Sequence, residues 1–116
     1  MIAIIGAGPA GLAAAMTAAE HNEQVVVIDS APRPGGQYWR HLTKVEGYKS
    51  GRSDKYFRAM QENEKIINIS GAQIWSAVYG ENGITLNYLA AGIESSITAQ
   101  KVILATGAHD RAIPFT

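Results

Sequence analysis

Short apolar runs and a helix-forming segment alternate at the start of the chain. Residues 2–5 are wholly apolar, and residues 25–29 are apolar up to the final aspartate. Runs of this kind are typical of strands that are buried on both faces of a parallel sheet. Between them, residues 9–21 are rich in Ala, Leu and Met, which favour helix, and a proline stands near the first helical position. The sequence therefore predicts a right-handed strand–helix–strand unit.

The middle of the chain is less regular. Residues 30–36 hold two prolines and two glycines, which predicts a loop. Residues 37–52 show no pattern from which a helix or strand can be predicted. Ser53 is positioned to cap a helix that runs to about residue 63. Residues 66–69 then predict a third short strand.

A different pattern follows in the second half. Residues 72–79, 84–89 and 93–99 show partial alternation of apolar and polar positions and are separated by glycine-containing turns. This arrangement predicts an antiparallel meander of three strands. Residues 101–105 return to the buried parallel type. We therefore expect one α/β domain over residues 1–116, with a parallel sheet, a βαβ unit and a three-stranded antiparallel β-meander.

Composition excludes several function classes. Ten basic side chains balance ten acidic ones, so net charge gives no reason to expect binding to nucleic acid or to an anionic membrane. The absence of cysteine excludes disulfides and thiolate metal sites. The apolar N-terminal segment lacks a basic region and is broken by Gly6, Gly8 and Pro9, unlike a signal peptide. We expect a soluble, cytoplasmic protein.

A glycine fingerprint follows the first strand. Gly6, Gly8 and Gly11 are spaced as G-x-G-x-x-G at the start of the helix, and Asp29 ends the next strand. In this context the first glycine allows a tight turn, the second lets backbone approach a pyrophosphate, and the third lets helix and strand pack closely. The helix N-terminus favours the anion, and Asp29 can accept hydrogen bonds from ribose hydroxyls. FAD or NAD is favoured over NADP, because Asp29 would repel a 2′-phosphate.

Two further glycine sites follow strands. The paired glycines of residues 35–37 would bring backbone and the Gln37 side chain against a flavin or its diphosphate, or would form an ordinary surface turn. Thr106 and Gly107 follow the last parallel strand, whose carboxyl end is expected at the ligand crevice. A plain strand-ending glycine is the alternative there. The residues alone leave both choices open.

The remaining polar and aromatic residues give no catalytic assignment. His109 and Asp110 are adjacent. On an extended segment they would point in opposite directions, so we expect no compact acid–base pair. Three scattered histidines do not indicate a metal site. Tyr38, Trp39 and Trp75 are interpreted as anchors of core or loop rather than as flavin-stacking residues. The catalytic residues are therefore unknown.

The ordered set of motifs resembles a known family. The fingerprint, Asp29, residues 35–37, the meander and residues 102–107 are similar to the FAD domain of flavoproteins with two dinucleotide-binding domains, the pyridine nucleotide–disulfide oxidoreductase class. Residues 35–40 and 107–115 resemble the branch that holds the FAD subunits of opine oxidases and hydrogen cyanide synthases. The resemblance covers essentially the whole chain. It implies a Rossmann-like FAD/NAD(P)-binding domain with FAD as the cofactor.

The resemblance also implies which residues would contact FAD. Asp29 would hold the adenosine ribose, and backbone near Gln73 and Ile74 would approach the adenine. Thr106 would help to close the site over the cofactor. The full set is Gly6, Gly8, Pro9, Ala10, Gly11, Asp29, Ser30, Arg33, Gly36, Gln37, Gln73, Ile74, Thr106 and Gly107.

The family continues beyond what this chain contains. Its members carry an NAD(P)-like domain and a return segment that completes the FAD site, and no residues here correspond to either. The resemblance therefore implies the FAD-binding portion of an oxidoreductase acting on C–N bonds of amino acids or opines, inactive by itself. The alternatives are a non-catalytic dinucleotide-binding module and a small NAD-binding Rossmann protein. Uncovered apolar surface leads us to expect a homodimer or a missing partner subunit or domain.

Overall fold

The computed structural model describes residues 1–36, 53–108 and 112–114. Within these ranges two helices and seven strands follow the predicted order. Their bounds are β1 (Ile2–Ile5), α1 (Pro9–Glu20), β2 (Val25–Ile28), α2 (Asp54–Glu62), β3 (Ile66–Ile69), β4 (Ala72–Gly80), β5 (Gly83–Ala90), β6 (Ile93–Ala99) and β7 (Lys101–Leu104).

The strands form two separate sheets. The first is parallel, with the order β3-β2-β1-β7, and the second is antiparallel, with the order β4-β5-β6. In the parallel sheet Ile2 is in register with both Val25 and Lys101, so the strands end at a common edge. The predicted α/β fold with its βαβ unit and meander is confirmed.

Side-chain alternation divides the core into two layers. On one face of the parallel sheet, Ile4, Val25 and Val27 pack against the helices, through residues such as Leu12 and Met60. On the opposite face, the sheet packs against the meander through Ala3, Val26, Ile28, Ala72, Leu86 and Ala99. The four residues of β2 are all buried, because this strand is covered on both faces. The parallel sheet is thus the middle of three layers.

The second helix differs from its prediction at the cap. Ser53 precedes the helix as predicted, but its side chain makes no capping hydrogen bond and its own backbone is already helical. The helix is supported instead by Asp54 in the first turn, which forms a 3.2 Å ion pair with Arg58. Met60 provides the buried contact to the core. No helix in the described part of the chain is long and apolar enough to span a membrane.

The last parallel strand is more exposed than its sequence predicts. β7 pairs with β1, but it has no further neighbour on its other side among the described residues. Leu104 is 73% exposed and Ile103 is 39% exposed, so the prediction of a buried strand is wrong. An apolar run cannot distinguish a central strand from an edge strand, because burial depends on the neighbouring elements. The expected self-association through such surface stays a prediction.

The two faces of β5 allow a matched test of the core. Leu86 is 1% exposed on the face of β5 that packs against the parallel sheet, whereas Leu89 on the same strand is 41% exposed. We expect Leu86→Ala to lower the free energy of unfolding by about 2–5 kcal/mol, since it leaves a cavity. Leu89→Ala should cost less than about 1 kcal/mol. Urea denaturation measures both, and equal losses would contradict the layer assignment.

Candidate functional site

Backbone hydrogen bonds fix the carboxyl ends of the parallel strands. The Gly6 N–H donates to the Ile28 carbonyl at 2.8 Å, and the Asp29 N–H donates to the Ile69 carbonyl at 3.0 Å. The Asp29 carbonyl in turn accepts from the Ala72 N–H at 2.9 Å, at the start of the meander. The Asp29 backbone is therefore held from both sides, between the parallel sheet and the meander.

A cleft of about 210 Å³ opens at this junction. It brings together six residues that the sequence predicted as site residues, and these come from four different segments of the chain. They are Gly6, Asp29, Ser30, Gln73, Ile74 and Thr106. These segments are far apart in the sequence, but they meet because the parallel strands end at a common edge of the sheet.

Three apolar residues of the cleft were not predicted from the sequence. Ile5 and Ile28 are the last residues of β1 and β2, and Ala72 is the first residue of β4. Ile5 and Ile28 could have been predicted, because each is the last strand residue before a predicted ligand-binding turn. The two residues are directly in register. They give the cleft apolar walls beside its polar groups.

The Asp29 side chain is the acidic group of this cleft. The residue is half-buried, and its carboxylate forms no ion pair or hydrogen bond with the residues that the structure describes. A carboxylate accepts hydrogen bonds through two oxygens. Asp29 can therefore accept from two neighbouring hydroxyl groups of a ligand that enters the cleft.

Two of the fingerprint glycines are required by the packing of backbone on backbone. Gly6 has φ +108°, and a Cβ added there would lie 2.1 Å from the Ala105 carbonyl oxygen. A Cβ added at Gly11 would lie 1.8 Å from the Gly6 carbonyl oxygen. The predicted close packing of helix and strand at Gly11 is confirmed. These two glycines hold β1, α1 and the segment after β7 together.

Gly8 lies in a more open position. The nearest atom to an added Cβ would be the Gly36 Cα at 3.9 Å. Gly36 itself has φ +60°, and its own added Cβ would lie 2.9 Å from the Gly8 Cα. The Gly35 N–H donates to the Ala7 carbonyl at 2.6 Å. The glycine pair that follows β2 therefore folds back onto the fingerprint turn, where a side chain on Gly36 would not fit.

The first turn of α1 has unsatisfied backbone donors. Gly8 is the N-cap residue and provides no side-chain cap, Pro9 occupies the beginning of the helix, and no acidic residue lies in the first turn. The N–H groups of Ala10 and Gly11 have no acceptor within the described ranges. Free N–H groups and the positive end of the helix dipole together form an anion-binding arrangement. This end of the helix fits a phosphate group.

The other predicted site residues are distributed differently. Ala10 is exposed on the first turn of α1, and Arg33 is exposed on the loop after β2, where it does not line the cleft. Gly107 has φ +74° and no atom within 4 Å of an added Cβ. Gln37 lies outside the described residues.

The aromatic and histidine predictions have mixed outcomes. Trp75 is 62% exposed on β4, so its interpretation as an anchor of core or loop is wrong. A shift of register between Ile74 and Ser76 marks an irregularity that leaves Trp75 without a cross-strand partner. His109 and Trp39 are outside the described ranges. Within those ranges, no group of three metal-ligating side chains is present.

The packing role of Gly6 can be separated from its backbone conformation. Gly71 also has a positive φ, +64°, but an added Cβ there would meet nothing within 4 Å. Gly71→Ala should therefore cost only the conformational penalty of about 1–2 kcal/mol. We expect Gly6→Ala to lower the free energy of unfolding substantially more, because the added methyl group would overlap the Ala105 carbonyl oxygen. Urea denaturation compares the two, and a similar loss would show that packing at Gly6 is unimportant.

Comparison with known proteins identifies the family. The family model described as pyridine nucleotide-disulphide oxidoreductase matches residues 1–116. One of the subunits of the opine oxidase of Agrobacterium tumefaciens is 33% identical over 96% of this chain and 24% of its own length. Hydrogen cyanide synthase subunit HcnB of Pseudomonas protegens is 30% identical over 97% of this chain and 25% of its own length.

The solved structures agree on the fold. L-proline dehydrogenase from P. horikoshii superimposes with a TM-score of 0.73 at 24% identity, covering 97% of this chain and 23% of that protein. The chain spans about a quarter of the length of the curated relatives that it matches. The resemblance inferred from the ordered motifs is confirmed, and the chain belongs to the pyridine nucleotide-disulphide oxidoreductase family.

Proposed function

We propose that this chain is the FAD-binding portion of a flavin-dependent oxidoreductase. The observation that carries the proposal is the proximity of two complementary sites at one edge of the parallel sheet. The uncapped first turn of α1 suits a phosphate group. The adjoining cleft places the Asp29 carboxylate among apolar walls. A dinucleotide needs both an anion site for its pyrophosphate and a hydroxyl-binding site for its adenosine ribose.

The cleft suits the adenosine end of the cofactor. Asp29 would accept hydrogen bonds from both ribose hydroxyls. These hydrogen bonds would be strong because the acceptor is charged. Ile5 and Ile74, which are half-buried, line the same cleft and would contact the apolar faces of the adenine. A 2′-phosphate would place negative charge against the carboxylate. These features support FAD or NAD over NADP.

The family supports FAD over NAD. The matching family model covers residues 1–116, and the order of the motifs in the chain resembles the FAD-binding portion of that family. The loop glycines Gly35 and Gly36 lie against the fingerprint turn, where backbone would contact the diphosphate or the ribityl chain. NAD binding is the alternative. A visible spectrum of the protein after loading separates the two, because bound flavin absorbs blue light and NAD does not.

The names of the relatives suggest the substrate class. One group of relatives is named opine oxidase, and one structural neighbour is named L-proline dehydrogenase. We therefore propose oxidation of a C–N bond in an amino acid or opine, for which the flavin, when bound, supplies the hydride acceptor. The residues of the cleft and of the fingerprint turn bind and orient the cofactor. Activity would require further parts of the enzyme, and a cytoplasmic location remains a prediction from the sequence.

Replacing Asp29 tests the adenosine site. Asp29→Ala should weaken FAD binding by about 1–3 kcal/mol, because the charge-assisted hydrogen bonds to the ribose are lost. Glu81→Ala is the control, since Glu81 is an exposed carboxylate in the β4–β5 turn, outside the cleft residues. Isothermal titration with FAD measures both variants. Equal or tighter FAD binding by Asp29→Ala would contradict the assignment of Asp29 to the adenosine site.

Replacing Gly8 tests the pyrophosphate site. Gly8 has φ −76°, which valine tolerates, and the space around an added Cβ is open in the protein. Gly8→Val should therefore fold normally but lose FAD binding, because its side chain would occupy the place of the pyrophosphate. Gly80→Val in β4 is the matched control and should bind normally. Circular dichroism establishes folding, and retained FAD binding in folded Gly8→Val would contradict the proposal.

A further inference from the structure

The face of the meander that points away from the parallel sheet carries an unusual row of side chains. Gln73, Leu89 and Glu94 are directly opposite one another on β4, β5 and β6. Their neighbours Ala72 and Ala90 belong to the opposite, core-facing side. The row therefore lies on the outer face of the sheet, separate from the core that the meander forms with β1 and β2.

Trp75 lies beside this row, and the four side chains together form a pocket. Ile74 pairs with Tyr88 and Ser76 pairs with Asn87, which leaves Trp75 as the extra residue of the irregularity. Its side chain is 62% exposed. Together with Gln73, Leu89 and Glu94 it lines an open pocket of about 350 Å³. A large aromatic ring and a carboxylate thus line one concave surface.

The polar groups on the outer face of the meander differ in whether they have hydrogen-bond or ion-pair partners. Asn87 donates to the Ser76 hydroxyl at 3.2 Å, and the Thr85 and Thr98 hydroxyls are 2.8 Å apart. In contrast, no cation lies within 4.0 Å of the Glu94 carboxylate among the residues described. The pocket therefore offers an aromatic face and an unpaired negative charge to an incoming group.

We propose that this pocket binds an arginine side chain of a partner protein. A guanidinium group stacks on the face of an indole ring and pairs with a carboxylate through parallel N–H donors, and it does both better than an ammonium group. The charge of Glu94 and the ring of Trp75 are complementary to these two properties. A neutral donor could form a hydrogen bond with the carboxylate but not an ion pair, and an anion would be repelled by it.

The surroundings of the pocket favour a polypeptide as the source of the guanidinium. Val78, which is 53% exposed, lies on the same outer face as Trp75 and Leu89. Exposed apolar residues that share one face favour an interaction surface, and tryptophan and arginine are enriched among the residues that dominate binding at such surfaces. Several relatives are named as subunits, including those of opine oxidase and hydrogen cyanide synthase. The proposed surface shares Gln73 with the cleft, whereas Trp75, Leu89 and Glu94 do not line the cleft.

The test uses a tripeptide, acetyl-Gly-Arg-Gly amide, titrated into the isotope-labelled chain and followed by nuclear magnetic resonance. We expect saturable shifts at the Trp75 indole N–H and at the amides of Leu89 and Glu94, with a millimolar dissociation constant, which is about −4 kcal/mol. The same peptide with neutral citrulline in place of arginine should bind about fivefold more weakly or worse, since it cannot form the ion pair or the cation–π contact.

Matched variants locate the binding. Trp75→Ala and Glu94→Gln should each weaken the arginine peptide by about threefold or more. Tyr79→Ala and Glu81→Gln change an exposed ring and an exposed carboxylate of the same hairpin, outside the pocket, and should have no effect. The unliganded spectrum of each variant shows whether it is folded.

Several outcomes would overturn the proposal. They are the absence of saturable shifts at the pocket, equal binding of the citrulline peptide, and unchanged affinity in folded Trp75→Ala or Glu94→Gln. Tighter binding of free L-arginine than of the peptide would also overturn it, because that result would indicate a small-molecule site rather than a protein-docking surface.

Discussion

The approach of backbone to backbone at the fingerprint turn is the constraint on which the rest of the structure depends. The Gly6 carbonyl lies where a side chain on Gly11 would stand, and the Ala105 carbonyl lies where a side chain on Gly6 would stand. Close packing at this density leaves no room for a methyl group. Main-chain contacts therefore bring the first turn of α1 to the edge where the strands end, and side chains such as Leu12 pack the helix against the sheet.

Electrostatics at this edge is local. The chain has no net charge, so long-range attraction of an anionic ligand is weak. The first turn of α1 supplies partial positive charge without a competing acidic residue. Asp29 supplies a full negative charge a short distance along the same edge. A ligand that carries phosphate at one position and hydroxyls at another matches this alternation, whereas a uniformly charged ligand does not.

Elements with a strong local pattern could be predicted from the sequence. β1, β2 and α1 have clear apolar or helix-favouring compositions, and the glycine turns of the meander separate its strands. Most of the cleft was also predictable, since Gly6, Asp29 and Thr106 follow strands of one parallel sheet. Local composition is informative here because the same residues determine both the strand and the turn that follows it. Features that depend on distant neighbours could not be predicted. The exposure of Leu104 reflects the place of β7 at the sheet edge, and the register shift at Trp75 changes which of the following β4 residues face outward.

Strand β4 serves both surfaces of the meander. Ala72 and Ile74 line the cleft at the edge of the parallel sheet, whereas Trp75 belongs to the outer pocket and Gln73 lines both. The strand can do this because side chains alternate across a sheet, which places Gln73 and Trp75 on the outer face. The extra residue at Trp75 then brings Ser76 opposite Asn87 on that same face. A cofactor in the cleft and a partner on the outer face would therefore restrict the same strand from opposite sides.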